Sequence, residues 1–214
     1  IGKNWYIGET LHSGIGQGYF LSTPMQLCLM TAQLANGGFK IKPRILVDST
    51  KKADTLQEYL DYKKENPNAT ERELSQLNFN LDPLFRNQEN INFVKDAMFA
   101  ASNEVGGTSY GSRLKGKKFM FAGKTGSSQI KRFTAEQREA ETKQTDITYL
   151  ERDHAWFVAF APVVDPKYAI SVLVEHGGSG SSAAAPIAKK VIKKVIERHA
   201  IRTAQANQKL GENT

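Results

Sequence analysis

Residues 123–128 read Gly-Lys-Thr-Gly-Ser-Ser, directly after the apolar run Phe119–Ala122. In an extended segment side chains alternate between faces, so Thr125 and Ser127 share one face. Two hydroxyls beside the Lys124 ammonium form a group of hydrogen-bond donors that can hold a carboxylate. Gly126 leaves room for another backbone to approach the strand. Together with Ser128 these residues make a wall suited to an extended anionic ligand. A bare Lys-Thr-Gly triplet is more often an exposed turn, and Ser127 and Ser128 alone read as ordinary edge-strand polarity, so the surroundings must decide.

The other chemistry-bearing side chains add little by themselves. His154 opens an apolar run, where a histidine usually satisfies local hydrogen bonds and takes no catalytic part. Trp156 reads as core. Cys28 is the sole cysteine and sits in an apolar helical pattern, as a buried inert thiol does. One cysteine excludes an internal disulfide and leaves the redox compartment open. The chain has 214 residues, 40% hydrophobic and 24% charged, an ordinary globular balance. Its net charge of +7 favours acidic partners without choosing among them. A nucleic-acid role is not expected, since no aromatic-basic pattern accompanies the charge. The longest mostly apolar stretch, Ala155–Val164, is too short to cross a bilayer as a helix.

Elements that could position the wall are legible on both sides of it. Gly14-Ile15-Gly16-Gln17-Gly18 is a glycine-spaced turn. Thr23-Pro24 starts a helix, with Thr as N-cap and Pro at the first helical position. Met25–Ala35 is apolar nearly all round and predicts a buried helix, ended by Asn36-Gly37-Gly38. Phe39–Val47 reads as extended, with Pro43 confining it to an edge or irregular strand. Residues 48–90 are polar and read as an insertion; Leu56, Leu60, Leu74 and Leu77 suggest short surface helices, and Thr70 with Glu73 a capping box. Ile91, Val94, Met98, Ala101 and Val105 follow helical spacing up to Gly106-Gly107-Thr108. A strand is expected over Phe119–Ile130, a polar connection over 131–153 with a Thr134–Gln137 cap, and strands over His154–Ala161 and Tyr168–Glu175. The last helix is expected over Pro186–His199, with Ile187, Val191, Ile192, Val195 and Ile196 inward and Lys189, Lys190, Lys193, Lys194 and Arg198 in solvent. Residues 200–214 read as a frayed polar tail. Strands joined by a short turn are antiparallel, so the fold class is α+β, an antiparallel sheet packed between helices.

The combination resembles the transpeptidase domain of class B penicillin-binding proteins, closest to the elongation-type enzymes. Lys-Thr-Gly is one member of a motif set with Ser-x-x-Lys and Ser-x-Asn. The resemblance extends through Gly14-Ile15-Gly16-Gln17-Gly18, Thr23-Pro24, Gln26-Leu27, Gly107-Thr108, Arg152-Asp153-His154, Ala159-Phe160-Ala161-Pro162 and Glu175-His176-Gly177-Gly178-Ser179-Gly180. It implies the C-terminal part of a penicillin-binding protein and serine β-lactamase-like fold over residues 1–199. It also implies a D,D-transpeptidase that cross-links peptidoglycan stem peptides through a serine acyl-enzyme and is inhibited by β-lactams, with no cofactor or metal. Thr125, Ser127 and Ser128 would bind substrate, Lys124 would place charge beside the nucleophile, and the Ser127 N–H would serve the oxyanion. The expected setting is the periplasmic face of the bacterial inner membrane, with an upstream anchor and a membrane glycan polymerase as partner.

The resemblance also implies a nucleophile that this sequence does not show. In the family, Ser-x-x-Lys precedes the Gly-Ile-Gly-Gln-Gly turn. Here Ser49/Lys52, Ser112/Lys115 and Ser128/Lys131 all follow it, and no Ser-x-Asn or Ser-x-Asp occurs. The three matches read as accidents of composition. The chain therefore reads as a piece of a longer protein, inactive alone, with a bare face of the His154–Ala161 strand through which it either self-associates or is stabilised by upstream chain supplied separately. A class D β-lactamase or β-lactam sensor is the alternative, and a basic non-enzymatic binding module a third reading.

Overall fold

The computed structural model describes residues 4–18, 20–41, 43, 45, 61–68, 84–130, 136 and 146–211. Helix α1 spans Ile7–Gly14, α2 Pro24–Ala35 and α3 Gln88–Asn103. Strands β1 (Ala122–Ser128), β2 (His154–Ala161) and β3 (Tyr168–Val174) follow, then helix α4 (Ala185–Gly211). The sheet is antiparallel in the order β1-β2-β3. With helices on both faces, this is the expected α+β arrangement.

Local chemistry fixes the ends of the helices. The Thr23 hydroxyl accepts from the Gln26 N–H at 3.2 Å and the Gln26 side chain accepts from the Thr23 N–H at 2.8 Å, closing a capping box with Pro24 at the first helical position. At its other end Asn36 Oδ1 accepts from the Gly38 and Phe39 N–H groups. Gly38 has φ +90°, which favours glycine, and a Cβ there would lie 2.2 Å from Ile91 Cδ1 of α3 and push that side chain aside. Asn87 caps α3 by accepting from the Glu89 N–H at 2.8 Å.

β2 is the middle strand, with one face fully buried and the other half-buried up to buried Phe160. Ala155, Phe157, Ala159 and Ala161 pack with Phe121 against Ala184, Ala185, Ala188, Ile192 and Ile196 at the α4 side. The alanines on strand and helix allow close approach, and Phe121 meets Phe157 edge-on at 5.8 Å. On the opposite face, Phe160 and Ala122 pack with Leu34 and Ala35 of α2 and Met98 of α3. Phe121, Phe157 and Phe160 are essentially inaccessible to water, each contributing about 1.5–3 kcal/mol by burial.

Several expectations are corrected here. The second face of β2 is not bare: α2 and α3 pack on it, and the exposed apolar side chains include Ile7, Leu11, Leu21 and Met25 in the N-terminal segment. Helix α1, which the sequence pattern did not suggest, has no buried residue and exposes Ile7 and Leu11. Helix α2 is not buried all round, since Met25 and Met30 are 57% and 41% exposed. In α4 the inward stripe is Ala185, Ala188, Ile192 and Ile196, while Ile187 and Val191 turn outward. Small residues beat larger ones there because the helix lies close on the sheet. Lys190, Lys193, Lys194 and Arg198 are exposed and Lys189 is half-buried. Helix α4 runs to Gly211 and does not fray at His199, because Ala200–Leu210 contains no Gly or Pro to stop it. Val105 lies outside α3 and is exposed, and buried Ser102 takes a place on its inner face. β1 is shorter than the expected Phe119–Ile130.

Of the described residues in 39–47 only Phe39 makes a strand-like bridge. A helical stretch covers 61–65, whereas Leu56, Leu60, Leu74, Leu77 and the Thr70–Glu73 and Thr134–Gln137 caps lie outside the described residues. The Cys28 thiol is half-buried and donates to the Ala169 carbonyl at 3.6 Å; burial pushes its pKa up.

Candidate active site

The Lys-Thr-Gly segment lies on β1, which pairs with β2 and has no second strand partner among the described residues. Register sets the faces: Lys124 is opposite Val158, Gly126 opposite Trp156 and Ser128 opposite His154. Lys124, Gly126 and Ser128 therefore share the α2/α3 side, and Thr125 and Ser127 the α4 side. The two hydroxyls fall on one face as expected; the ammonium stems from the other.

Lys124, Thr125 and Ser127 each have a defined partner. Lys124 Nζ donates to the Thr125 carbonyl at 2.8 Å. It pairs with no carboxylate among the described residues, which leaves an exposed cation on the wall. Thr125 Oγ1 donates to Thr108 Oγ1 at 3.0 Å. Ser127 Oγ donates to the Gly178 carbonyl at 3.3 Å. Ser128 is exposed at the end of the strand.

Two supports behind the wall were not foreseen as contacts. The first is the turn after α3. A Cβ on Gly107 would lie 2.5 Å from the Ala101 carbonyl oxygen, so the turn folds back tightly and brings Thr108 to Thr125. Buried Ser102 bonds to Ser109 Oγ at 3.0 Å and donates to the Gly123 carbonyl at 3.3 Å, while Asn103 donates to the Phe121 carbonyl at 2.9 Å. These bonds tie the α3 end to the start of β1. The second support is the glycine turn before α4. A Cβ on Gly180 would lie 2.3 Å from the Trp156 carbonyl oxygen and 2.7 Å from that of Gly126, so this turn sits directly on the β1–β2 backbone. Both turns carry glycines visible in the sequence; their meeting with β1 was not.

Gly126 itself is open: the nearest atom to a Cβ there is Trp156 Cβ, at 3.5 Å. Trp156 is half-buried, and its Nε1 is inaccessible and has no hydrogen-bond partner among the described residues. His154 lies outside the Lys-Thr-Gly wall, with Nδ1 accepting the His176 backbone N–H at 2.9 Å. Ser112 is buried in a three-residue 3₁₀ turn and Ser128 is on a strand, so neither opens a helix; Ser49 lies outside the described residues. No group of three His, Cys, Asp or Glu side chains gathers among the described residues.

The sequence matches the penicillin-binding protein transpeptidase domain over residues 1–193. The chain belongs to the penicillin-binding protein transpeptidase family. Peptidoglycan D,D-transpeptidase MrdA of Salmonella typhimurium is 31% identical over 198 residues, covering 92% of this chain and 29% of that protein. Its counterpart in Haemophilus influenzae is 31% identical, covering 89% of this chain and 26% of that protein. The penicillin-binding protein PBP2 of Helicobacter pylori, solved in complex with MreC, superposes with TM-score 0.64 at 28% identity, covering 91% of this chain and 28% of that one. PBP2 of Pseudomonas aeruginosa in complex with WCK 5153 gives TM-score 0.57 at 31% identity, covering 89% of this chain and 33% of that one. The chain thus spans about a third or less of the length of these relatives, and it carries the family's Lys-Thr-Gly strand with the turns that brace it.

Proposed function

We propose that this chain supplies the Lys-Thr-Gly side of the active site of a peptidoglycan D,D-transpeptidase of cell-wall elongation. The observation that carries the reading is Lys124: an exposed ammonium without a carboxylate partner among the described residues, beside two braced hydroxyls on an edge strand of the described sheet. A stem peptide ending in D-Ala-D-Ala is extended and anionic, and can add to the β1 edge as a further strand. Its terminal carboxylate would take bonds from Thr125 and Ser127. The Thr108 hydroxyl can turn to donate to Thr125, releasing the Thr125 proton for that carboxylate.

A serine outside this chain would attack the penultimate D-Ala carbonyl, form the tetrahedral oxyanion and expel the terminal D-Ala, leaving an ester. The Ser127 backbone N–H would serve that oxyanion, and the Lys124 charge would favour the anionic intermediates. An amine from a neighbouring stem peptide then takes the acyl group. β-Lactams enter by the same route, because they carry the same carboxylate beside a reactive carbonyl. The 48–90 segment is read as a family-specific insertion and 131–153 as a surface connection. The relatives' names support peptidoglycan D,D-transpeptidation, and the solved complex of a PBP2 with MreC shows that a relative assembles with another protein; the reading extends this to elongation machinery at the periplasmic face of the inner membrane, with a membrane glycan polymerase as partner.

The test uses the longer protein that joins this chain to a Ser-x-x-Lys segment. Lys124→Ala and Thr125→Val should each slow acylation by a fluorescent penicillin by about 10²–10³-fold, the effect of losing one oxyanion-type donor. Folded variants with wild-type rates would refute the role of the wall. Rapid release of the acyl group to water would refute transpeptidation in favour of β-lactam hydrolysis.

A further inference from the structure

The turn that follows β3 is held in an uncommon conformation. His176 has φ +55°, in the left-handed region that few L residues adopt and where Asn, Asp and His are the most frequent. Its own backbone N–H donates to His154 Nδ1 at 2.9 Å, across from the first residue of β2. An accepting Nδ1 carries no proton, so neutral His154 holds its proton on Nε2. The His176 ring is turned edge-on to His154 at 4.8 Å, with its Nδ1 3.3 Å from the Arg152 carbonyl. A carbonyl only accepts, so His176 carries its proton on Nδ1. The two imidazoles are thereby assigned opposite tautomers.

What this bond holds leads directly to the wall. One residue after His176 the chain enters Gly177, where a Cβ would lie 2.9 Å from Val174 Cγ1. Gly178 donates its N–H to the Asp153 carbonyl at 2.8 Å and offers its own carbonyl to Ser127 Oγ. Gly180 then seats on the Gly126 and Trp156 carbonyls. The segment from His176 to Gly180 is therefore pinned at one end by His154 and at the other by the β1–β2 backbone, with Ser127 bonded between.

We propose that His154 is a positioning residue for acyl transfer: its Nδ1 accepts the His176 N–H and so fixes the 176–180 turn that orients Ser127 and braces Gly126. This rests on the function proposed above, in which Ser127 faces the substrate carboxylate and the oxyanion. His154 touches no reacting atom; its role is to supply an acceptor at one place.

Variants separate the acceptor from the ring. His154→Asn keeps an acceptor oxygen at the position of Nδ1. His154→Gln moves it one carbon further, and His154→Phe keeps a ring without an acceptor. His176→Gly keeps the donor N–H, removes the ring and suits the positive φ. In the acylation-competent protein, His154→Phe should acylate on the order of 10²-fold more slowly, as expected for a wall displaced by about 1 Å. His154→Asn and His176→Gly should stay near the wild-type rate; if His154→Phe fails to fold, His154→Gln is the slow variant expected in its place. Nitrogen-15 spectra of the histidine-labelled protein in mildly alkaline buffer should show His154 Nδ1 without a proton and a slowly exchanging His176 amide. A protonated Nδ1 would overturn the proposal, as would a His154→Asn enzyme as slow as His154→Phe with wild-type melting. A wild-type protein that β-lactams never acylate would overturn the proposed function, while the His154 spectrum would still judge the bond separately.

Discussion

Gly180, seated on the β1–β2 backbone, and Gly126, part of it, should respond to alanine in opposite ways. At Gly180 the added methyl would lie 2.3 Å from the Trp156 carbonyl oxygen, 2.7 Å from the Gly126 carbonyl oxygen and 3.0 Å from the Gly126 nitrogen. All three are main-chain atoms of β1 or β2, which cannot rotate away as a side chain can. Ordinary contact begins near 3.4 Å, so the turn and the sheet must part by about 1 Å. Overpacking of this kind costs about 1–3 kcal/mol, and the rigid obstacle places Gly180→Ala at the upper end. Lower unfolded-chain entropy returns roughly 0.4–1 kcal/mol. The net is about 2 kcal/mol, which for a chain of this size lowers Tm by roughly 4–8 °C. At Gly126 the methyl meets only Trp156 Cβ at 3.5 Å, so Gly126→Ala should melt at or slightly above the wild-type temperature. That methyl would stand where a substrate backbone approaches, and acylation should fall on the order of 10²-fold. Differential scanning calorimetry and stopped-flow acylation measure the two effects. A Gly180→Ala protein that melts like wild type would refute the seating of the turn on the sheet. A Gly126→Ala enzyme with wild-type acylation would refute substrate approach over that glycine.

The 214-residue chain exposed alone to a β-lactam should keep its unmodified intact mass, because no Ser-x-x-Lys precedes Gly14; a stoichiometric adduct on Ser112 or Ser128 would show that one of these serines is reactive after all. The same chain should associate through the exposed apolar surface of residues 5–30, not through the sheet. Ile7→Lys combined with Leu11→Glu, one turn apart on α1, should shift sedimentation velocity toward monomer, and an unchanged distribution would place the contact elsewhere.

Much of the scaffold was legible because local chemistry dictates it. Thr23-Pro24 with Gln26 specifies a helix start whatever lies around it, since the capping box closes within four residues. Apolar side chains on both faces of 154–161 demanded a strand covered on both sides, and β2 is that strand. Antiparallel pairing of β2 with β3 followed from the short Pro162–Pro166 turn between them. The Lys-Thr-Gly strand was recognisable through its apolar lead and alternation. Helix α1 escaped because no part of it is buried, so no core periodicity marks its residues. The α4 stripe was misread because hydrophobicity ranks Ile187 and Val191 above Ala185 and Ala188, whereas packing against a close sheet prefers the smaller pair.

The sequence by itself determined which residues form the Lys-Thr-Gly strand, where helix α2 begins and that β2 and β3 pair antiparallel. All of these depend on neighbours a few residues apart, or on a hydrophobic period that each segment carries alone. Only the tertiary structure decided what braces the strand. Thr108 meets Thr125 across 17 residues, Gly178 meets Ser127 across 51, and His154 meets His176 across 22. No local propensity encodes such pairs, because each is fixed by the sheet register and by close approach at Gly107 and Gly180, where a missing side chain lets one backbone rest on another.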